Sequence, residues 1–219
     1  MKEERVVFPC GDISLEGVLH LPGGSGPFPA VVMCHPHPLF GGSMSNNIVL
    51  GVCQALVQDS IAAFRFNFRG VGGSQGVFDG GVGEQEDVRA ALTFISSLEG
   101  IGPGRIGLAG YSFGAGIALS VAPQDGRVQS LALISPVSSS SGAGGLQGYI
   151  KPKLLISGND DEFIPPQEFQ RLIREAAEPK EHEIISGADH FWWGYEQEVG
   201  WRVASFFAVA LRQAPPLAI

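Results

Sequence analysis

The order of strand-like and helical segments is the feature that most limits the possible folds of this chain. From residue 30 onwards, short apolar runs such as AVVMC (30–34) and RIGLAG (105–110) alternate with segments of helical spacing such as residues 45–59. Short continuous apolar runs are typical of strands that are buried on both faces of a sheet. The alternation therefore predicts an α/β fold in which helices cover both faces of a mostly parallel sheet.

The chain begins with a different pattern. Residues 4–8 (ERVVF) and 14–21 (SLEGVLHL) are strand-like and predict an antiparallel hairpin with PCGD as its turn. With AVVMC they make the first three of about eight strands. The remaining predicted strands span 61–68, 105–110, 128–137, 151–158 and 181–186, and the predicted helices span 45–59, 83–98, 113–122, 165–178 and 196–212. No linker interrupts this order, so residues 1–219 are predicted to form a single domain.

Composition argues against several classes of protein. The net charge of −8 disfavours binding to nucleic acid. No apolar run approaches the roughly 18 residues of a membrane span, and the N-terminus does not resemble an export signal. Cys10, Cys34 and Cys53 form no C-x-x-C pair, which predicts buried thiols rather than a disulfide or a zinc site. We expect a cytoplasmic protein with no membrane or nucleic-acid partner, and the sequence leaves open whether it forms a homo-oligomer.

The pentad GYSFG contains the candidate nucleophile, Ser112. In parallel sheets, functional residues lie just beyond the carboxyl ends of the strands. Ser112 follows a predicted strand and precedes a predicted helix, and Gly110 and Gly114 provide the small neighbours that such a tight turn needs. The alternative is an ordinary small residue in the turn. The second pentad, GGSQG (72–76), is not followed by a helix, so Ser74 is predicted to lie in a flexible turn above the same edge.

A serine hydroxyl needs a neighbouring base to become a nucleophile. His190 follows a predicted strand and lies in the loop SGADHFWWG, which is where a base is required. The alternative role for His190 is packing against the tryptophans that follow it. His20 is predicted to be a surface residue of the first hairpin, and His182 a strand side chain.

The base in turn needs an acid that orients its ring. Asp160, Asp161 and Glu162 directly follow the predicted strand 151–158, and position alone does not choose among them. One of them is also expected to cap the helix that follows. Asp189 is a weaker candidate because adjacent side chains diverge, and it is predicted to stabilise its turn.

The order of serine, aspartate and histidine after successive strands resembles the α/β-hydrolase superfamily. The resemblance extends from about residue 5 to about residue 212. The sequence RGVGGSQG (69–76) matches a post-strand motif of that family, which accounts for the second pentad, and DHFWW matches its base motif. The acid motif Gly-x-x-Asp-x-x-(Val/Ile)-Pro is matched by Gly158, Asp161, Ile164 and Pro165. The resemblance therefore implies a triad of Ser112, Asp161 and His190.

The segment CHPHPLFGGSMSNN (34–47) resembles the oxyanion loop of a small bacterial branch with the motif His-Pro-His-Pro-x-x-Gly-Gly. Its members are similar to dienelactone hydrolases and small carboxylesterases. Pro36 has no N–H to donate. The resemblance therefore implies that the oxyanion donors are the N–H of Phe113 and that of either His37 or Leu39.

The resemblance also implies the reaction. Dienelactone hydrolases use a cysteine nucleophile, so the serine in this chain favours hydrolysis of a small-molecule carboxylic ester. Phe40, Phe191 and Trp192 are predicted to line an apolar substrate pocket. No cofactor is expected. No metal is expected either, because no carboxylate or cysteine spacing accompanies His35 and His37. A thioesterase, a lactonase, a peptidase, a perhydrolase and a catalytically silent binding module remain alternatives.

The connection SSSSGAGGLQGYI (138–150) argues against a cap domain. It is mostly serine and glycine, so it has too little apolar surface to offset the entropy of ordering a helical cap. We expect a site without a lid and an open, shallow pocket. Such a pocket would contact little of a long acyl chain, so short acyl chains are predicted to be preferred.

Overall fold

The computed structural model describes residues 2–137 and 143–212, and a single eight-stranded sheet runs through them. The strands are β1 (Lys2–Cys10), β2 (Ile13–Leu21), β3 (Phe28–Cys34), β4 (Ala62–Phe66), β5 (Ile101–Tyr111), β6 (Val128–Ile134), β7 (Lys153–Gly158) and β8 (Lys180–Ile185). Their order is β1-β2-β4-β3-β5-β6-β7-β8. The pairs β1/β2 and β2/β4 are antiparallel, and the other neighbours are parallel. The predicted sheet and its N-terminal hairpin are confirmed.

Helices cover both faces of this sheet, as predicted. They are α1 (Asn47–Gln58), α2 (Val82–Ser96), α3 (Phe113–Val121), α4 (Ala143–Gly148), α5 (Pro166–Glu175) and α6 (Glu196–Ala210). Helices α1 and α6 pack on one face, and α2, α3, α4 and α5 pack on the other. Along β3, Val31 and Met33 belong to the core beneath α1 and α6, whereas Ala30 and Val32 belong to the core on the opposite face of the sheet. Burial on both faces explains why this strand is apolar throughout.

The parallel register places the carboxyl ends of four central strands at the same edge of the sheet. Cys34 of β3 is paired with Gly110 of β5, and Tyr111 of β5 is paired with Ile134 of β6. Ile134 is in turn paired with Ile156 of β7. The residues that follow these strand ends therefore converge at this edge, where ligands of parallel sheets bind.

His20 is buried, so the prediction of a surface residue was wrong. Strand β2 lies between β1 and β4 in the sheet, and helix α1 contacts β2. Its Nε2 accepts a hydrogen bond of 2.8 Å from Arg65 Nε, and Arg65 also donates to the carbonyl oxygen of Met44. Burial and the neighbouring Arg65 cation lower the pKa of His20. His182 is exposed on β8, as a strand side chain.

The connection between β6 and β7 differs in part from the predicted loop. Residues 138–142 lie outside the described part of the chain, and residues 143–148 form α4. Leu146 and Tyr149 are buried in the core beneath α3 and α5. An ideal Cβ on Gly145 would lie 3.1 Å from the Leu119 side chain, so the glycine permits close contact with α3. Leu146 and Tyr149 thus pack into the core that α3 and α5 cover.

No helix in residues 2–137 and 143–212 combines the length and the apolar character needed to cross a lipid bilayer.

The packing of α4 predicts different costs for two apolar residues of the same connection. Leu146 is fully buried, whereas Ile150 is 73% exposed. Leu146→Ala should lower the free energy of unfolding by about 2–5 kcal/mol through the cavity it leaves. Ile150→Ala should change it by less than about 0.5 kcal/mol. Urea denaturation of both variants would check this, and equal costs would contradict the packing of α4.

Candidate active site

Ser112 connects β5 to α3 in a strained backbone conformation. Its φ is 55° and its ψ is −118°, values that non-glycine residues rarely adopt and that concentrate at functional sites. An ideal Cβ on Gly114 would lie 2.5 Å from the carbonyl oxygens of both Cys34 and His35. A Cβ on Gly110 would collide with the backbone of Gly114. Both glycines of the pentad are therefore needed for the close approach of α3 to the end of β3.

The structure brings Ser112, His190 and Asp161 into one hydrogen-bonded series. Ser112 Oγ lies 2.9 Å from His190 Nε2, and His190 Nδ1 lies 2.9 and 3.0 Å from the two carboxylate oxygens of Asp161. The serine and histidine are each 7% exposed and the aspartate 2%. A carboxylate beside Nδ1 keeps the proton on that nitrogen, so Nε2 is free to accept the serine proton.

The turn after β7 explains why Asp161 takes this position. Its Oδ1 accepts hydrogen bonds of 3.0 and 3.1 Å from the N–H groups of Phe163 and Ile164, so the same side chain also holds the turn. Asp160 and Glu162 are exposed. Asp189 accepts hydrogen bonds from Phe191 N and Trp192 N, as expected for a residue that stabilises its own turn.

Ser135, which the sequence analysis did not identify, lies directly behind the carboxylate. It follows β6, is fully buried and has a positive φ of 43°. Its hydroxyl donates a hydrogen bond of 2.7 Å to Asp161 Oδ2 and accepts one of 3.0 Å from Trp192 Nε1. Ser135 thereby fixes the carboxylate that faces His190. Ser135 falls inside the predicted strand 128–137, whereas β6 ends at Ile134, so no pattern in the sequence indicated that this residue lies just beyond a strand.

Trp192 does not line the substrate pocket, so that prediction was wrong. Its indole ring is fully buried in the core beneath α6, and its Nε1 donates to Ser135 Oγ. Trp192 has a positive φ of 60°, so the tight turn directs consecutive aromatic side chains to different sides. Only Phe191 of the sequence FWW borders the cavity.

Tyr111 holds the loop that carries the histidine. Its hydroxyl donates a hydrogen bond of 2.5 Å to the carbonyl oxygen of His190. Burial raises the pKa of the Tyr111 phenol, which therefore keeps the proton that makes this bond. The position of His190 is thus set from the backbone side by Tyr111 and from the ring side by Asp161.

His35 organises the loop that follows β3. Its Nδ1 lies 2.6 Å from the carbonyl oxygen of Pro36, and its Nε2 accepts a hydrogen bond of 3.1 Å from Phe68 N. Burial lowers the pKa of His35 to about 4. The neutral ring therefore donates from Nδ1 and connects the ends of β3 and β4.

The two expected alternatives for the second oxyanion donor occupy different positions. The N–H of Leu39 lies 3.2 Å from His37 Nδ1, to which it donates, and the Leu39 side chain is 68% exposed. His37 lines the cavity, and its ring centroid lies 4.8 Å from that of Phe113. These contacts favour the backbone N–H of His37 over that of Leu39.

The second pentad forms a fixed turn rather than the flexible one predicted. Ser74 is buried, its hydroxyl donates to Asn67 O at 2.7 Å, and it accepts from Glu16 N at 3.0 Å. Arg69, at the start of the motif, forms an ion pair of 2.7 Å with the buried Asp87. The hydroxyl of Ser74 therefore stabilises the turn through its two hydrogen bonds.

Cysteine and metal chemistry are not evident around this site. Cys10, Cys34 and Cys53 are free and buried, which confirms the prediction of buried thiols. Burial raises the pKa of Cys53 to about 12. Among the residues that the structure describes, no group of three or more His, Cys, Asp or Glu side chains could hold a metal ion.

A cavity of about 620 Å³ opens beside Ser112 and His190. Phe40 and Phe191 border it, as predicted, together with Phe163. Its other walls come from residues 36–37, 41–42, 80–82 and 116–117, and from Asn46, Gln85, Ser120 and Val137. This volume is in the range of about 300–1,000 Å³ typical of small-molecule sites. The cavity is larger than the expected shallow pocket suggested, since it extends beside α3 and the start of α2.

Sequence comparison places this geometry in a family. Residues 11–191 match the family described as X-Pro dipeptidyl-peptidase (S15 family). The chain belongs to this family. An uncharacterized protein of Rickettsia prowazekii (strain Madrid E) is 32% identical over 171 residues, which cover 74% of this chain and 71% of that protein.

Two solved structures are similar over almost their whole length. An alpha-beta serine hydrolase homologue from Coxiella burnetii is 34% identical with a TM-score of 0.84, covering 94% of this chain and 97% of that one. A Xanthomonas campestris serine hydrolase without lid is 27% identical with a TM-score of 0.82, covering 98% of each chain. The chain is an α/β serine hydrolase of the small lidless type.

Asp160 and Asp161 differ in their surroundings, so replacing each by asparagine should lower kcat to different extents. Asp161→Asn should lower kcat by about 10³- to 10⁴-fold, because an amide neither fixes the tautomer of His190 nor stabilises its imidazolium. Asp160→Asn changes an exposed side chain and should leave kcat within about twofold. Turnover of a chromogenic ester by both variants would measure this. The reverse ranking would assign the acid to Asp160.

The contact between Ser135 and Asp161 generates a separate prediction. Ser135→Ala should lower kcat/KM by roughly ten- to a hundredfold, since a carboxylate free to shift misplaces the histidine. Ser130→Ala is the matched control on the same strand, because its hydroxyl is buried without a hydrogen-bond partner among the described residues. Equal kcat/KM values for the two variants would contradict a role for Ser135 in positioning Asp161.

Proposed function

We propose that this protein hydrolyses carboxylic esters through an acyl-enzyme on Ser112. The observation that carries the proposal is the series Ser112–His190–Asp161, with hydrogen-bond distances of 2.9–3.0 Å, beside an apolar cavity. The reaction needs only side chains, backbone N–H groups and water.

In the acylation step, Ser112 Oγ attacks the ester carbonyl carbon while His190 Nε2 takes the serine proton. Asp161 stabilises the imidazolium that forms, and Ser135 holds Asp161. The imidazolium then protonates the leaving alkoxide, which departs as the alcohol. Water repeats the sequence on the acyl-enzyme, with His190 as its base, and releases the acid.

The oxyanion of each tetrahedral intermediate would be held by two backbone N–H groups, those of Phe113 and His37. Phe113 is the first residue of α3, and the first N–H groups of a helix have no partner within it. The N-terminus of α3 also directs its positive dipole end at the developing charge. His37 would contribute the first N–H after Pro36, and its ring centroid lies 4.8 Å from that of Phe113.

The neutral cavity favours esters over the dipeptide amides named in the family description. An enzyme that removes N-terminal dipeptides has to bind a substrate ammonium group, which requires carboxylates. Of the described residues that line the cavity, none is Asp, Glu, Lys or Arg.

The choice among esters, thioesters and lactones depends on the leaving group, which the triad does not select. Short-chain esters reach Ser112 without an opening step because the hydrolase has no lid. The expected preference for short acyl chains, however, rested on a shallow pocket. A cavity of about 620 Å³ has room for longer acyl chains, so it does not support that preference.

A panel of p-nitrophenyl esters, thioesters, lactones and Xaa-Pro-p-nitroanilides would test the proposal. The wild-type protein should cleave the esters with the highest kcat/KM, and Ser112→Ala should lower that value by at least about 10³-fold. Ser74→Ala is the matched control and should retain most of the activity.

A protein that cleaves only the anilides would be a peptidase. If none of the substrates were cleaved, the fold would be serving as a binding module. Either result would contradict ester hydrolysis.

A further inference from the structure

We propose that the part of the cavity along α3 is an acyl-binding groove for an extended, uncharged acyl chain of medium length. The inference rests on the proposed ester hydrolysis and adds the substrate class. It follows from where the leaving group has to lie, from the face that α3 presents to the cavity, and from the neutral lining.

The leaving group occupies the side of the cavity next to His190. The leaving oxygen has to accept a proton from Nε2, so it lies within hydrogen-bond reach of that atom. Phe163 and Phe191 flank the imidazole, with ring centroids 4.5 and 5.9 Å from its own. The alcohol therefore leaves between two half-exposed aromatic rings, and the oxyanion points towards the N-terminus of α3. The acyl chain therefore has to extend away from both the leaving alcohol and the oxyanion.

That direction is a groove along one face of α3. Ser112, Gly116 and Ser120 recur at intervals of four residues, so they lie on the same side of the helix, and all three line the cavity. From Ser112 to Ser120 the helix rises about 12 Å. Gly116 has no side chain to fill the groove. An acyl chain lying over Gly116 can therefore extend well beyond the length of an acetyl group.

Apolar side chains form the walls of the groove. Val82 from the start of α2, Ile117 of α3 and Val137 after β6 all line it. Val82 is 69% exposed and Val137 is 37% exposed, so a bound chain would cover apolar surface that otherwise faces water. Burial of methylene groups against these side chains is the source of the expected affinity.

The far end of the groove is polar but uncharged. Ser120 Oγ donates to Gly116 O at 2.9 Å, and Gln85 Nε2 donates to Gly81 O at 3.0 Å. With its own donor directed at the backbone, the serine oxygen acts as an acceptor, and Gln85 offers its oxygen and its second N–H. A terminal methyl or hydroxyl group is compatible with this end. A terminal carboxylate is not, because the described lining offers no cation.

The test compares p-nitrophenyl acetate, butyrate, hexanoate and octanoate below their micellar thresholds. A half-covered methylene should raise kcat/KM by about twofold, so octanoate, with six more methylenes, should exceed acetate by roughly sixtyfold. The p-nitrophenyl monoester of octanedioic acid, which has the same length and a terminal carboxylate, should lose most of that gain.

Two variants shorten the groove at different depths. Gly116→Val should lower the octanoate-to-acetate ratio of kcat/KM by at least about tenfold. Ser120→Phe blocks only the far end, so it should lower the ratio for octanoate but preserve that for butyrate. Gly148→Val is the matched control, because an ideal Cβ there has no atom within 4 Å and Gly148 does not line the cavity.

Each outcome bears on the proposal. Ester hydrolysis with a ratio that stays flat or falls with chain length would overturn the acyl groove and leave ester hydrolysis intact. A ratio that rises in the wild type and survives in both groove variants would also overturn it. Failure to cleave an ester of any length would overturn the proposed function and the acyl groove together.

Discussion

The close approach of α3 to the end of β3 is the constraint on which the site depends. The main chain of Gly114 packs so tightly against the carbonyl groups of Cys34 and His35 that a single Cβ would lie 2.5 Å from both oxygens. This contact holds Ser112 in its strained turn and keeps the N-terminus of α3 beside the loop that contains His37. Glycine is needed at Gly114 because the backbones themselves are in contact. The energy of the strained serine is offset by the packing of the surrounding sheet.

Buried polar contacts complete what this packing begins. His35 connects the ends of β3 and β4, Tyr111 holds the backbone of His190, and Ser135 connects Asp161 to the core through Trp192. The contacts from His35 to Phe68, from Tyr111 to His190 and from Ser135 to Asp161 each join the carboxyl-end regions of two different strands. Because the groups are buried and hydrogen-bonded, they keep the reacting atoms in place without a closing lid. A cavity that remains open and a site that remains ordered are therefore compatible in this hydrolase.

Much of the fold could be predicted from the sequence because it follows from local patterns. The alternation of apolar runs and helices predicted the parallel sheet, and the strand–serine–helix context distinguished Ser112 from Ser74. The motif around Asp161 selected the residue whose carboxylate accepts the N–H groups of its own turn.

Contacts between distant segments could not be predicted in the same way. Ser135 donates a hydrogen bond to Asp161, which lies 26 residues further along the chain. Trp192 lies in the core and has a positive φ, which no local sequence pattern predicts. His20 alternates like a surface residue, yet it is buried on β2 beside Arg65. Leu146 and Tyr149 pack against helices that are already present and need no core of their own.

The most direct test of this account is covalent trapping with a fluorophosphonate, because the reagent reacts only with a serine whose proton is taken by a base. The wild-type protein should acquire one adduct, on the peptide that contains Ser112, and His190→Ala should label at a rate lower by at least about 10³-fold. An adduct on Ser74, or equally fast labelling without His190, would contradict the claim that His190 activates Ser112.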